Sequence, residues 1–343
     1  MEKHVVVIGG GVAGLECAGR LGRMGHRVTL IEKDENTGGH AARWYQLFPD
    51  RRPGHEITDY LKNLAGHTNI RIINGVTVES FSRNGSGFML ETGGPGSLKA
   101  DAIVVATGFD LFDASRKEEY GYGIYNNVIT SADLEEMFHK GEIVTTAGVA
   151  PKRVGIIHCV GSRDEKVGNF HCSKVCCVTA VKQAIEIREH LPATQVFCFY
   201  MDMRMFGPYY EELYRESQEK WNVNFIRGKV SEASENIDGR LVVKVEDTLA
   251  SRPLRMELDM LVLMSGMEMS KAGAELAGKS GLVTGQNRFL AGLDHHYATN
   301  ESSVKGVFYA GTCVAPMNIT DSLSHARAAA LEVSDYLKNS IGE

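Results

Sequence analysis

No apolar run in the chain approaches the roughly 18 residues that a membrane-spanning helix needs, and no low-complexity segment interrupts it. Charge of neither sign dominates. With 37 Lys and Arg against 43 Asp and Glu the formal net charge is −6, which gives no electrostatic footprint for nucleic acid and no polybasic patch for a bilayer surface. A strand-like HVVVI begins at residue 4, so no secretory leader is expected before it. Seven cysteines, an odd number, without such a leader point to a reducing, cytoplasmic compartment.

What is present occurs twice. HVVVI, the turn GGGVAG, the helical LECAGRLGRMG and the strand RVTLIE open the chain, followed by NIRIING (69–75), GFMLET (87–92) and ADAIVVATG (100–108). RVGIIHC (153–159), the helical CCVTAVKQAIEIREHL, QVFCFYM (195–201), NVNFIRG (222–228), RLVVKVED (240–247) and LDMLVLMSG (258–266) repeat that order. First strand and third-strand signal lie about 65 to 70 residues apart in both halves, the mark of an internal duplication. A parallel strand pair bridged by a helix starts a doubly wound sheet. The fold class expected is therefore α/β with two Rossmann-type dinucleotide-binding domains. GVFYAGT near the C-terminus reads as a strand returning to the first sheet, so the second domain is inserted in the first. The expected division is 1–112 and 285–343 for the first domain, 113–150 for a connector and 151–284 for the second.

The first turn carries Gly9-x-Gly11-x-x-Gly14, and Glu32 ends the next strand. Glycines permit the turn, the approach of a pyrophosphate and close helix packing, while the acid accepts ribose hydroxyls. A merely tight turn is the bland alternative, and the loop alone does not choose between FAD and NAD. Gly38-Gly39, VVATGFD with Thr107 and Gly108, and GVFYAGT with Gly311 and Thr312 resemble segments of the two-domain disulfide reductase flavoproteins. That resemblance implies FAD, surrounded by these residues. The terminal helix, expected to begin near Asp321 and Ser322, would then point free N–H groups and a positive dipole end at the flavin N1–C2=O edge. The family usually has an acid where Thr312 stands.

After RVGII the second half should repeat the glycine loop if it bound NAD(P)H. It reads His158-Cys159-Val160-Gly161-Ser162 instead, and one glycine remains. Cys159, Cys172, Cys176 and Cys177 form C-x12-C-x3-C-C. Four thiolates can hold a [4Fe–4S] cluster, and Cys172 and Cys176, if helical, share a face. Zinc and unliganded thiols with a vicinal Cys176–Cys177 disulfide are the alternatives, although adjacent cysteines fit zinc knuckles poorly. Cys17 and Cys198 read as small core residues, and Cys313, in the expected flavin loop, as a thiol with some claim to redox chemistry. Met201, Met203 and Met205 read as packing, and Asp294, His295 and His296 as a polar loop.

With YGYGIYNNVIT (120–130), CVGSRDE and FYMDMRMFGPYYEELY (199–214), the cysteine motif resembles the A-type subunit of heterodisulfide reductases over most of the chain. The resemblance implies FAD plus a [4Fe–4S] cluster on these four cysteines, and a catalytic Lys182 close to the flavin N5; a solvated helix lysine is the alternative. No C-x2-C-x2-C-x3-C-P motif occurs, no cysteine lies in HAARWYQLFPDRRPG, and no flavin-adjacent C-x-x-C or C-x4-C dithiol is present. This short form resembles its counterpart in heterodisulfide-reductase-like complexes of sulfur-oxidising bacteria. It implies a homodimeric core, B- and C-like iron–sulfur partner subunits and a possible lipoyl-carrying protein as substrate. A flavoprotein subunit of quinone-interacting complexes of sulfate reducers, a stand-alone NAD(P)H-dependent flavin reductase and a zinc-stabilised scaffold are the competing readings.

Overall fold

The computed structural model describes residues 3–94 and 96–339. Two compact units are present: 1–42, 54–110 and 268–343 form the first, and 43–53 with 111–267 the second.

In the first unit a five-stranded parallel sheet runs in the order Val307–Tyr309, Ala102–Val105, His4–Ile8, Arg27–Ile31, Ile70–Ile73. Its central strands are apolar on both faces and fully buried, as parallel strands covered on both sides must be. The helix Val12–Arg23 and the terminal helix Ile319–Asn339 pack on one side through Leu15, Ala18, Ala326 and Ala330. On the other lie the antiparallel strands Val78–Asn84, Gly87–Thr92 and Ser97–Ala100 and the helix Lys271–Ser280. The returning strand is where it was expected, with Phe308 opposite Val104.

The second unit repeats the plan: Val128–Thr130, Met260–Ser265, Arg153–Val160, Gln195–Tyr200, Asn224–Arg227, all parallel. A meander of Val230–Glu235, Leu241–Asp247 and Arg252–Leu258 matches that of the first unit. The duplication breaks at one edge. The first sheet takes its edge strand from the C-terminal part of the chain, the second from the segment just before its first strand.

The division differs from the expected boundaries in three places. Residues 113–150 are no mere connector, because Val128–Thr130 pairs with Leu261–Leu263 and is followed by the helix Ser131–Lys140. A complete capping box starts that helix, Thr130 and Asp133 satisfying each other's backbone N–H groups. Residues 268–284 belong to the first unit, since Leu276 and Ala277 join Ile8 and Ile103 in its core. Residues 43–53 belong to the second, tied there by Tyr45 N–H to Glu135 at 2.8 Å and Arg51 to Glu216 at 3.2 Å.

Candidate redox sites

In the first unit the glycine turn is held tightly everywhere except where a ligand would enter. A Cβ on Gly14 would lie 1.8 Å from the Gly9 carbonyl oxygen, and one on Gly9, at φ +108°, 2.4 Å from that of Ala106. A Cβ on Gly11 would meet nothing within 4 Å. Two glycines thus serve packing and the third faces open space. Glu32 closes the turn from below, accepting Gly10 N–H at 2.5 Å and Asp34 N–H at 2.9 Å.

The other residues expected around FAD come to the same turn. Gly39 sits against Gly11, Thr107 against Gly9, Thr312 against Gly108, and Gly311 between Ala13 and Ser322. Thr107 keeps a buried hydroxyl with no hydrogen-bond partner. An open glycine, an orphaned hydroxyl and a buried acid on one rim fit a dinucleotide pyrophosphate and ribose. The terminal helix departs from its expected start. It begins at Ile319, so the amides of Asp321 and Ser322 are already used, donating to the Asn318 side chain at 2.7 Å and the Asn318 carbonyl at 3.0 Å. The dipole end lies at 319 and 320.

Two residues of this rim went unread. His325 Nδ1 accepts the Gly311 N–H at 3.0 Å, and Asn300 donates to the Tyr309 and His325 carbonyls, so both fix the loop that carries Thr312. Burial holds the His325 imidazole down at about 4, which keeps it a neutral acceptor. A lone histidine among alanines, one turn into SLSHARAAA, was the available signal. Cys313, in contrast, is fully buried and donates to the Val105 carbonyl at 3.2 Å. Burial pushes its thiol up to about 12, so the redox claim on it lapses. Asp294 accepts the amide of His296 at 2.7 Å, a local turn as expected.

The second unit replaces the turn with a fifteen-residue excursion, from Gly161 to Val175, between its central strand and the helix that follows. Every stage of it is anchored. Lys117, itself buried, pairs with Asp164 at 2.6 Å; Asn169 donates to the Gly161 carbonyl at 2.8 Å; and the Ser173 hydroxyl accepts Met267 N–H at 2.8 Å. Cys159, Arg163 and Lys174 all hold positive φ, at 58°, 53° and 64°. Strained backbone of this kind persists only where its surroundings dictate it. The remaining glycine cradles no phosphate: a Cβ on Gly161 would lie 2.0 Å from the Phe112 ring.

Cys159 at the strand end and Cys176 and Cys177 at the helix start are buried in one core cluster. Cys159 and Cys176 sulfurs are 3.6 Å apart, and the Cys177 sulfur lies 3.7 Å from the Asp202 carbonyl. The fourth, Cys172, is half-buried, and its sulfur accepts the Lys174 N–H at 3.3 Å. The helix begins at Cys176, so Cys172 does not share a helical face with it; the loop places it instead. Hydrogen bonds from Cys176 hold the Cys159 and Cys177 thiols below the ordinary range, and sharing its proton with both leaves Cys176 well above it. Soft sulfur donors, two of them already inclined to the thiolate form, suit iron and sulfide. Among the described residues no three His, Cys, Asp or Glu side chains converge on a single ion-sized point.

Lys182 is not a solvated helix lysine. It is 2% exposed, and its ammonium donates to Glu135 at 2.7 Å and the Gln46 carbonyl at 2.9 Å, with Glu186 at 3.2 Å. Glu135 also accepts from Gln183 at 2.7 Å. Met201, Met203 and Met205 pack against the core around these elements.

Comparison with known proteins places these observations. Residues 1–135 match the family model for pyridine nucleotide-disulphide oxidoreductases. The A-type subunit of the H2/formate:CoB-CoM heterodisulfide,ferredoxin reductase of Methanococcus maripaludis is 33% identical over 97% of this chain. The A-type iron-sulfur subunit of the CoB–CoM heterodisulfide reductase of Methanocaldococcus jannaschii is equally similar, at 33% over 97%. The chain spans 64% of the length of each of these relatives. Among solved structures, the thioredoxin reductase of T. acidophilum superposes with a TM-score of 0.67 at 21% identity, covering 98% of this chain and 99% of its own. That likeness establishes the fold. Among the described residues no helix is long and apolar enough to cross a membrane.

Proposed function

Because the chain is a relative of the A-type subunit of heterodisulfide reductases over 97% of its length, with the fold of the two-domain flavoprotein reductases, we propose that it is the electron-transfer flavoprotein subunit of a heterodisulfide-reductase-like complex. In this reading it is an oxidoreductase. Bound to the chain, FAD would supply two-electron chemistry and a [4Fe–4S] cluster one-electron transfer. The first unit would hold FAD through the open face at Gly11, with Glu32 at the ribose and the Gly311–Thr312 loop, fixed by His325, closing the rim. The second would hold the cluster on Cys159, Cys172, Cys176 and Cys177. Lys182 is retained as the catalytic cation on the resemblance alone, its ammonium being held by Glu135, Glu186 and the Gln46 carbonyl.

The observation that carries the proposal is the anchored thiol loop standing where a nicotinamide-binding turn would be, with Phe112 against Gly161. We place substrate disulfide or persulfide chemistry on B- and C-like iron–sulfur partner subunits that surround a homodimeric core. A lipoyl-carrying protein is the substrate class, and cytoplasmic sulfur oxidation the setting, that we favour. The test is anaerobic purification with metal and flavin analysis. The proposal expects about four irons and one FAD per chain, following the site chemistry, and flavin absorbance with a broad iron–sulfur shoulder. Stoichiometric zinc with negligible iron after anaerobic reconstitution would sink the cluster assignment. A fully active lone monomer turning over a disulfide without partners would reject the complex.

A further inference from the structure

One polar side chain beside the thiols still lacks a role. His158 lies in the strand Arg153–Val160 next to Cys159, and its imidazole is 6% exposed. Both ring nitrogens are shut off from solvent, and neither has a partner of good hydrogen-bond geometry. An imidazole in that position has lost its water without compensation, so the polar groups around it matter. Two of them are sulfurs within reach of the ring, Cys177 at the helix start and Cys198 on the neighbouring strand; Ser162 and Cys159 line the same cavity. Cys198 is fully buried among apolar residues, and its sequence context speaks for packing alone. The Tyr200 ring lies 6.4 Å away, tilted by 51° to the imidazole.

We propose that His158 is a positioning residue for the iron–sulfur ligands: one ring N–H donates to the Cys177 sulfur while Cys198 holds the other ring nitrogen. The inference rests on the cluster reading of the four cysteines. A ligand sulfur bound to iron can only accept, so the imidazole must be the donor on that side. With a second sulfur holding the far nitrogen, the ring cannot turn away. An N–H···S bond draws electron density from the ligand sulfur and raises the reduction potential of the centre it ligates. Cys198 acts one step further out, through the ring.

The experiment uses the anaerobically reconstituted full chain as wild type, His158→Leu, His158→Gln and Cys198→Ala. Iron is counted in each, and the cluster couple is followed by EPR during redox titration. His158→Leu should favour the oxidised cluster at least tenfold at a fixed potential, a shift of about 59 mV to lower potential for a one-electron couple. His158→Gln, which keeps a donor, should recover most of that shift, and Cys198→Ala should move the couple the same way by less. An unmoved couple in iron-replete His158→Leu overturns the proposal, as does an equal displacement in the Leu and Gln variants, the pattern of packing loss. If His158→Leu fails to hold iron, the Gln variant decides by the same criterion: near-wild-type potential supports the role, and a fully displaced one rejects it. A wild type without iron defeats the cluster reading itself, an outcome the iron count separates from the others.

Discussion

The two units lead from the central strand of their sheet to the helix that follows it in opposite ways. In the first, three residues, Gly9 to Gly11, separate His4–Ile8 from Val12–Arg23; in the second, fifteen separate Arg153–Val160 from Cys176–His190. The short turn leaves open space at Gly11, and the long one fills the equivalent region with Phe112 against Gly161. A doubly wound sheet binds its ligand at the carboxyl ends of its strands whichever loop is present. The position is thus kept while its chemistry is exchanged: backbone amides and space for a pyrophosphate in one copy, thiols in the other.

The strongest way to break the comparison is to remove a thiol. Cys176→Ser should abolish nearly all bound iron while leaving FAD at about one per chain, because the flavin residues lie in the other unit. Iron and flavin analysis of the anaerobic variant checks this, with circular dichroism to show that it is folded. Retention of iron would mean that the cysteines do not hold the cluster. The second test concerns the missing cradle. Reduction of the flavin by NADH or NADPH at micromolar concentration should be slow, on the scale of free flavin. Stopped-flow absorbance would read it, and rapid stoichiometric reduction by either nucleotide would restore a nicotinamide site that Phe112 argues against.

Smaller in effect is a pair of substitutions within the glycine turn. Gly11→Ala points a methyl into open space, so unfolding stability should change by less than about 1 kcal/mol, while FAD affinity should fall about tenfold because the methyl takes the place of a phosphate oxygen. Gly14→Ala drives a methyl into the Gly9 carbonyl and should cost about 1–3 kcal/mol of stability. Fluorescence titration of FAD together with urea unfolding separates the two. Equal losses of affinity and stability in both variants would show that the turn is structural only.

Much of this was legible in the sequence. The duplication, the inserted second domain and the return of GVFYAGT to the first sheet followed from buried β-branched runs at repeated spacing. Strand Val128–Thr130 did not, because three residues inside a Gly- and Tyr-rich stretch carry no periodicity and only their pairing with Leu261–Leu263 makes them a strand. The outer meander strands were missed for a related reason: Val230–Glu235 is half exposed and largely polar. At the sites, residue types were readable but directions were not. Lys182 could be placed on a helix, yet its burial between Glu135 and Glu186 depends on a second helix 47 residues away in sequence. Asn318 was hidden because the helix starts two residues earlier than Asp321.

In each unit the helix that follows the central strand buries an acid. Both carry a fully buried glutamate, but Glu16 meets two guanidinium groups, Arg20 at 2.9 Å and Arg327 at 2.5 Å, whereas Glu186 meets the Lys182 ammonium at 3.2 Å, which hydrogen-bonds elsewhere. Burial, with the Glu135 charge nearby, lifts the Glu186 carboxyl to about 8 despite the attraction of Lys182. Its folded-state value therefore exceeds its unfolded one. Between about pH 4.5 and 8 the native chain keeps a proton that the unfolded chain releases, so this group makes stability fall as pH rises. Below that window both states are protonated, and above it both are ionised, leaving the penalty constant. Glu186→Gln removes the titrating group and should gain stability over wild type with increasing pH, by about 1–3 kcal/mol between about pH 5 and pH 8.5. Urea unfolding of both proteins at the two pH values measures it. A difference that does not change with pH would show Glu186 ionised throughout, and the second helix would then bury its charge as securely as the first.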